Sequence, residues 1–176
     1  MKKNRFTTTQ LAIAGLMIAI TVILSYQNIY LFPPRSGRIT LRFIPMIFSG
    51  ILLGPTLGTI IGGASDPLIY FMTLGSPGMY FPGYMLTNML MGFFPGLILG
   101  KNIEKESKLS LILKVALISI LSFTVTIFLD SFWLSITRGK GFWYYVVSRS
   151  APNLIQMGIT FVALLVLTTR IKKTYR

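Results

Sequence analysis

Asp66, Glu104, Glu106 and Asp130 are the only acids in this sequence, which has neither histidine nor cysteine. Disulfides, thiolate and Ser–His nucleophiles, imidazole proton relays and Cys/His zinc sites are therefore excluded, and no metal or resident cofactor is expected. There is no Gly-x-x-x-x-Gly-Lys-Ser/Thr loop either, so the chain does not hydrolyse ATP by that route. Two of the acids, Asp66 and Asp130, fall inside apolar runs. A pair of such aspartates is what a membrane aspartyl protease uses, and Gly63-Ala64-Ser65-Asp66 carries part of a Gly-x-Gly-Asp motif. The second glycine is missing, however, and Pro67 follows directly. The chemistry left over is that of binding: arginines suited to carboxylate or phosphate, aromatic rings suited to stacking, and a few amides.

The elements that must position these groups are membrane spans. Of the 176 residues 53% are hydrophobic and only 12% charged, about half the charged share of a soluble domain. Net charge is +13, from 17 Lys and Arg against four acids. The bases lie in short gaps between apolar runs, which is a membrane pattern and argues against nucleic acid as partner. The basic start followed by an apolar run has no convincing cleavage site after it and reads as a retained first span. Spans are expected at about 10–29, 41–53, 56–74, 84–99, 109–132 and 146–169. The second and third are separated by Gly54-Pro55, a pair that ends a helix or turns the chain. The expected fold is thus an all-α integral membrane protein, a single six-helix domain over 1–176 in the cell membrane.

Six spans put both termini on one side. With them lie Lys2, Lys3, Arg5, Lys101, Lys105, Lys108, Lys114, Arg170, Lys172, Lys173 and Arg176. The other side has Arg35, Arg38, Arg42, Arg138, Lys140 and Arg149. The positive-inside rule places the richer side, and both termini, in the cytoplasm. The outer bases run against that rule and cluster in two loops with aromatics, which suggests a vestibule that attracts anions.

Polar side chains at membrane depth usually face a bundle interior or a cavity. Here Arg42, Asp66, Asn88, Asp130, Asn153 and Gln156 all fall in the outer half, and Tyr80, Phe81, Tyr84, Trp133 and the run Phe142-Trp143-Tyr144-Tyr145 flank the outer connections. The expectation is a pocket open to the outside. In it Asp130 either accepts hydrogen bonds from the amino and ring N–H groups of a heterocycle or pairs with an outer arginine. Gly15 and Ala19, and the run Gly50, Gly54, Gly58 and Gly62, have the four-residue spacing that lets helices approach closely in lipid.

The stretch Phe43-Ile44-Pro45, then Gly50, Gly54-Pro55, Gly58, Gly62 and Asp66, then Pro77-Gly78-Met79-Tyr80-Phe81-Pro82-Gly83-Tyr84, resembles the substrate-binding S components of energy-coupling factor (ECF) vitamin transporters. Within them it is most similar to the folate-specific branch. The likeness is best over residues 10–100. It implies a six-helix membrane protein with cytoplasmic termini, an outer pocket, and partners that supply the power: a transmembrane coupling protein and two ATPase subunits. It also implies that Gly15 and Ala19, which match an Ala-xxx-Ala motif of the family with the first alanine replaced, pack on the coupling protein. Folate suits the residues, with a donor-rich pterin edge, an aromatic ring to stack and two carboxylates for arginines. The expected pocket is Arg35, Arg38, Arg42, Tyr80, Tyr84, Asn88, Asp130, Trp133, Asn153 and Gln156, in a binding subunit that is not an enzyme. The rival readings are an S component for another vitamin or precursor, such as pantothenate or a queuosine precursor, and the small aspartyl enzyme using Asp66 and Asp130.

Overall fold

In the computed structural model, which describes residues 6–32, 37–72, 80–100, 103 and 106–174, local chain signals set the element boundaries. Helix α1 (Thr8–Ser25) opens on a capping box, in which Thr7 Oγ1 accepts from the Gln10 N–H and Gln10 Oε1 accepts from the Thr7 N–H. Strands β1 (Asn28–Phe32) and β2 (Gly37–Thr40) then pair antiparallel, with Asn28 opposite Thr40, Ile29 opposite Ile39 and Tyr30 opposite Arg38. Helix α2 (Phe43–Leu53) stops at Gly54, whose φ of 88° is left-handed and open to glycine at little cost. Pro55 starts α3 (Pro55–Met72), where its missing N–H breaks no helical bond. Helix α4 (Pro82–Leu99) also has proline in its first turn. Helix α5 (Lys108–Arg138) is capped by Ser107 and ended by a left-handed Gly139, and α6 (Phe142–Thr174) completes the chain.

Among the described residues the chain forms six helices, the number expected from the sequence, and α2 and α3 divide at Gly54-Pro55. The β1–β2 hairpin is an addition to the all-α expectation: the first apolar run gives up its last residues, Asn28 and Ile29, to a strand. Helices α5 and α6 also run past the expected ends.

Helix α2 is the core. Met46, Ile47 and Ile51 are fully buried, and nine of its eleven residues are buried, as a helix that is apolar all round requires. It is about 17 Å long, too short to cross about 30 Å of hydrocarbon alone. Around it pack α1, α3, α4 and α6, and α4 in turn packs on α3 and α5. Met91 and Leu99 of α4, Ile118 and Phe123 of α5 and Leu164 of α6 close the same apolar cluster. Helices α1 (Thr8–Ser25), α5 (Lys108–Arg138) and α6 (over Phe142–Lys173) are long and apolar enough to cross a membrane.

Glycine sets the distance between α3 and α4. A Cβ on Gly58 would lie 2.4 Å from the Gly92 carbonyl oxygen, one on Gly92 2.0 Å from that of Gly58, and one on Gly62 2.1 Å from that of Asn88. Gly50 of α2 meets the same Gly92 carbonyl. The four-residue glycine spacing is therefore used within the chain, to bring three backbones into contact. Gly15 is different: it is exposed, with nothing within 4 Å of where its Cβ would be, and Ala19 is exposed on the same helix.

Candidate functional site

The C-terminal ends of α3 and α5, the N-terminal ends of α4 and α6 and the hairpin gather at one end of the bundle. The glycine seam decides what meets there. With Gly62 pressed on the backbone of Asn88, the side chain one turn further along α3, Asp66, faces α4 at Asn88. Asn88 Nδ2 donates to Asp66 Oδ1 at 2.6 Å, and both residues are buried. Asp66 Oδ2 is also buried, and the Tyr80 hydroxyl beside it stands outside good hydrogen-bond geometry. Arg42, at the start of α2, lies within electrostatic range of this carboxylate, and its guanidinium also rests 5.0 Å from the centre of the Phe43 ring.

Tyr80 enters the same cluster from the connection before α4. Its ring packs on Tyr70 at 5.2 Å and on Phe71 at 6.4 Å, and its hydroxyl is buried toward Asp66. Burial first, and then the Asp66 charge, push that hydroxyl above its ordinary pKa.

A second group lies between α4, α5 and α6. Asp130 Oδ2 accepts from Arg149 Nη2 at 3.0 Å in a partly buried ion pair. Of the two roles open to Asp130, the structure shows pairing with an arginine. Tyr84 stands beside this pair and within reach of Thr137. Trp133 donates from Nε1 to Thr87 Oγ1 at 3.3 Å, and its ring tilts against Phe81 at 5.5 Å. Gly83 makes room for both rings, since a Cβ there would lie 2.4 Å from Phe81 and 2.6 Å from Trp133.

Gln156 has a structural use. Its Oε1 accepts from the Thr40 N–H and its Nε2 donates to the Thr40 carbonyl, both at 2.7 Å, so the amide clasps β2 to α6. Asn153 donates to the Arg149 carbonyl within α6 at 2.8 Å. Of the two remaining expected residues, Arg35 lies outside the described residues, and Arg38 is described only by its backbone pairing with Tyr30. The structure thus brings Arg42, Tyr80 and Asn88 together around Asp66, and Tyr84 and Trp133 near Asp130. Asp66, Arg149 and Thr87 join these groups without having been among the expected pocket residues. Asp66 had a usable signal, an acid inside an apolar run, whereas the partners of Thr87 and Arg149 lie on other helices at 46 and 19 residues' separation.

At the opposite end, Glu106 ties three segments. Its carboxylate accepts from Lys114 Nζ at 2.5 Å and from the Ser110 hydroxyl, and its carbonyl accepts from Lys172 of α6. The Lys114 hydrogen bond, followed by that of Ser110, holds the Glu106 carboxyl below its ordinary pKa.

Known proteins resemble this chain over nearly its whole length. Residues 5–173 match the family described as the S component of the ECF-type riboflavin transporter. The folate transporter FolT of Clostridium novyi (strain NT) is 30% identical over 159 residues, which is 90% of this chain and 85% of that protein. Among solved structures, FolT bound with folic acid superposes with a TM-score of 0.72 at 26% identity, over 93% of this chain and 95% of that one. An S component for biotin from an ECF-type ABC transporter shares the fold, with a TM-score of 0.63 at 19% identity, over 97% of this chain and 95% of its own.

Proposed function

The chain belongs to the S components of ECF-type transporters, membrane proteins that bind and do not catalyse, and from that premise we propose that its substrate is folate. The observation that carries this reading is the likeness to a folate transporter across nine-tenths of the chain. The family description names riboflavin instead, and the chemistry of the expected site favours folate. Folate carries two carboxylates, riboflavin none, and the sequence places Arg35, Arg38 and Arg42, the residue type suited to bidentate carboxylate capture, around the β1–β2 region and the start of α2.

In this reading all six helices cross the membrane with both termini in the cytoplasm. Helices α2, α3 and α4 are shielded from lipid along part of their length by the rest of the bundle. The expected pocket residues then take graded roles. Arg42, and Arg35 and Arg38 of the hairpin region, attract the glutamate carboxylates. Tyr80, Tyr84 and Trp133 supply ring contacts. Asn88, Asp130, Asn153 and Gln156 hold the walls in place through the bonds described above.

Gly15 and Ala19 leave an exposed, nearly flat strip on α1. That strip is the proposed contact with the transmembrane coupling protein, which with two ATPase subunits powers release of the vitamin inward. Calorimetric titration of the purified chain in detergent tests the substrate. Saturable heat with folate and none with riboflavin or pantothenate supports the reading. The reverse pattern keeps the S-component assignment and removes folate.

A further inference from the structure

Two acids stand at the outer end of the bundle, and they differ in what meets their oxygens. Asp130 is engaged through Oδ2 by Arg149, in a partly exposed ion pair. Asp66 is 7% exposed, bonded through Oδ1 to Asn88, and its buried Oδ2 meets only the neighbouring Tyr80 hydroxyl, the two groups standing outside good hydrogen-bond geometry. Buried polar atoms are nearly always well hydrogen-bonded, so a carboxylate oxygen met this loosely has capacity for a donor that arrives with a ligand. The site is also built to hold its shape. Gly62 on the Asn88 backbone fixes the α3–α4 spacing, and Asn88 fixes the carboxylate from one side.

We propose that Asp66 is the acceptor for the amino-substituted edge of the ligand's heterocycle, with Oδ2 taking an exocyclic N–H and the second lone pair of Oδ1 taking the adjacent ring N–H. Each carboxylate oxygen accepts two hydrogen bonds, so the bond from Asn88 leaves that geometry open. Bonds to an ionised acceptor are the strong ones and come in parallel pairs where the donor edge is planar. The class of ligand this selects is a planar ring bearing an amino group beside a ring N–H, and it excludes rings that present only acceptors there. Tyr80, whose hydroxyl is buried toward the same carboxylate, stands where it would be displaced or would cover the bound edge. This assignment rests on the folate reading and sharpens it, because it moves pterin recognition from Asp130 to Asp66.

The test is a protein–ligand double-mutant cycle, titrating the wild-type chain and Asp66→Asn with folic acid and with its 2-desamino analogue. A bond from a neutral donor to a charged acceptor predicts that Asp66→Asn weakens folic acid about 10- to 100-fold and the analogue far less. Asp130→Asn should weaken both ligands alike. Equal losses for the two ligands in Asp66→Asn, or no loss, would overturn the assignment. If that variant does not fold, the wild-type chain alone decides. It must prefer folic acid over the analogue by the same factor, and equal affinity overturns the proposal while leaving folate in place. A wild-type chain that binds neither ligand overturns the folate reading and this assignment with it.

Discussion

Replacing Gln156 with leucine isolates the clasp that fixes the hairpin to α6. The amide makes two 2.7 Å hydrogen bonds to one residue, accepting from the Thr40 N–H and donating to its carbonyl. Gln156 is 1% exposed and Thr40 4%, so neither group can turn to water when its partner is removed. Leucine fills a similar volume with no polar atom, and each orphaned backbone group then costs about 1–3 kcal/mol. Together that is about 2–6 kcal/mol, set against a strand held otherwise by its pairing with β1 and by the packing of buried Ile39. The hairpin is a local unit and should open without the bundle unfolding. Hydrogen exchange in detergent, followed by mass spectrometry over residues 37–42, reads this directly. At about 1.4 kcal/mol per factor of ten, exchange should speed by at least about 30-fold while the α5 amides keep their protection. Arg42 follows Thr40 by two residues, so folate affinity should fall in the same variant. Exchange within about threefold of wild type, which is under 1 kcal/mol, would refute the clasp.

Other perturbations separate packing from recognition. Gly92→Ala drives a Cβ into the Gly58 backbone, which cannot rotate away, and should destabilise the chain by more than the ~1–3 kcal/mol usual for overpacking, read as a large drop in melting temperature. Gly15→Leu meets nothing within 4 Å. It should leave melting temperature and folate affinity unchanged while lowering recovery of the coupling protein in a pull-down. Removing Arg149 with leucine strands the partly buried Asp130, a loss of about 3 kcal/mol that Asp130→Asn should partly restore in the double variant; strictly additive losses would dissolve the pair. The Lys114 and Ser110 hydrogen bonds hold the folded-state Glu106 carboxyl below its ordinary pKa. Its contribution is therefore present above that value and lost as pH falls through the lower, folded one. Glu106→Gln should flatten the acid limb of the melting-temperature profile below about pH 4.5 and leave pH 6–8 unchanged.

The helices were legible because their signals are local. Gly54-Pro55 had to break the chain, and Thr7 with Gln10, Pro82 and Gly139 mark ends that sequence rules describe. The hairpin was missed because it is short and was absorbed into the preceding apolar run, although Ile29, Tyr30 and Phe32 before Pro33-Pro34 are strand formers beside turn formers. The site was legible as a depth and not as a network. Polar residues could be assigned to the outer half from span boundaries, but which ones meet depends on helix rotation. The Gly62 contact with Asn88 turns Asp66 toward α4, and nothing local to Asp66 encodes that. Asp130 met Arg149 and Gln156 met the backbone of Thr40 for the same reason: both partners come from elements distant in sequence.

The central claim is that folate binds at the end of the bundle where Trp133 sits. The chain has two tryptophans, and Trp143 is 70% exposed on the outer surface of α6, so Trp143→Phe leaves Trp133 as the single reporter. Titrating that variant with folate, with correction for the ligand's own absorbance and riboflavin as control, should give saturable quenching by folate alone. An unchanged Trp133 signal with folate, or saturation by riboflavin instead, would contradict the account.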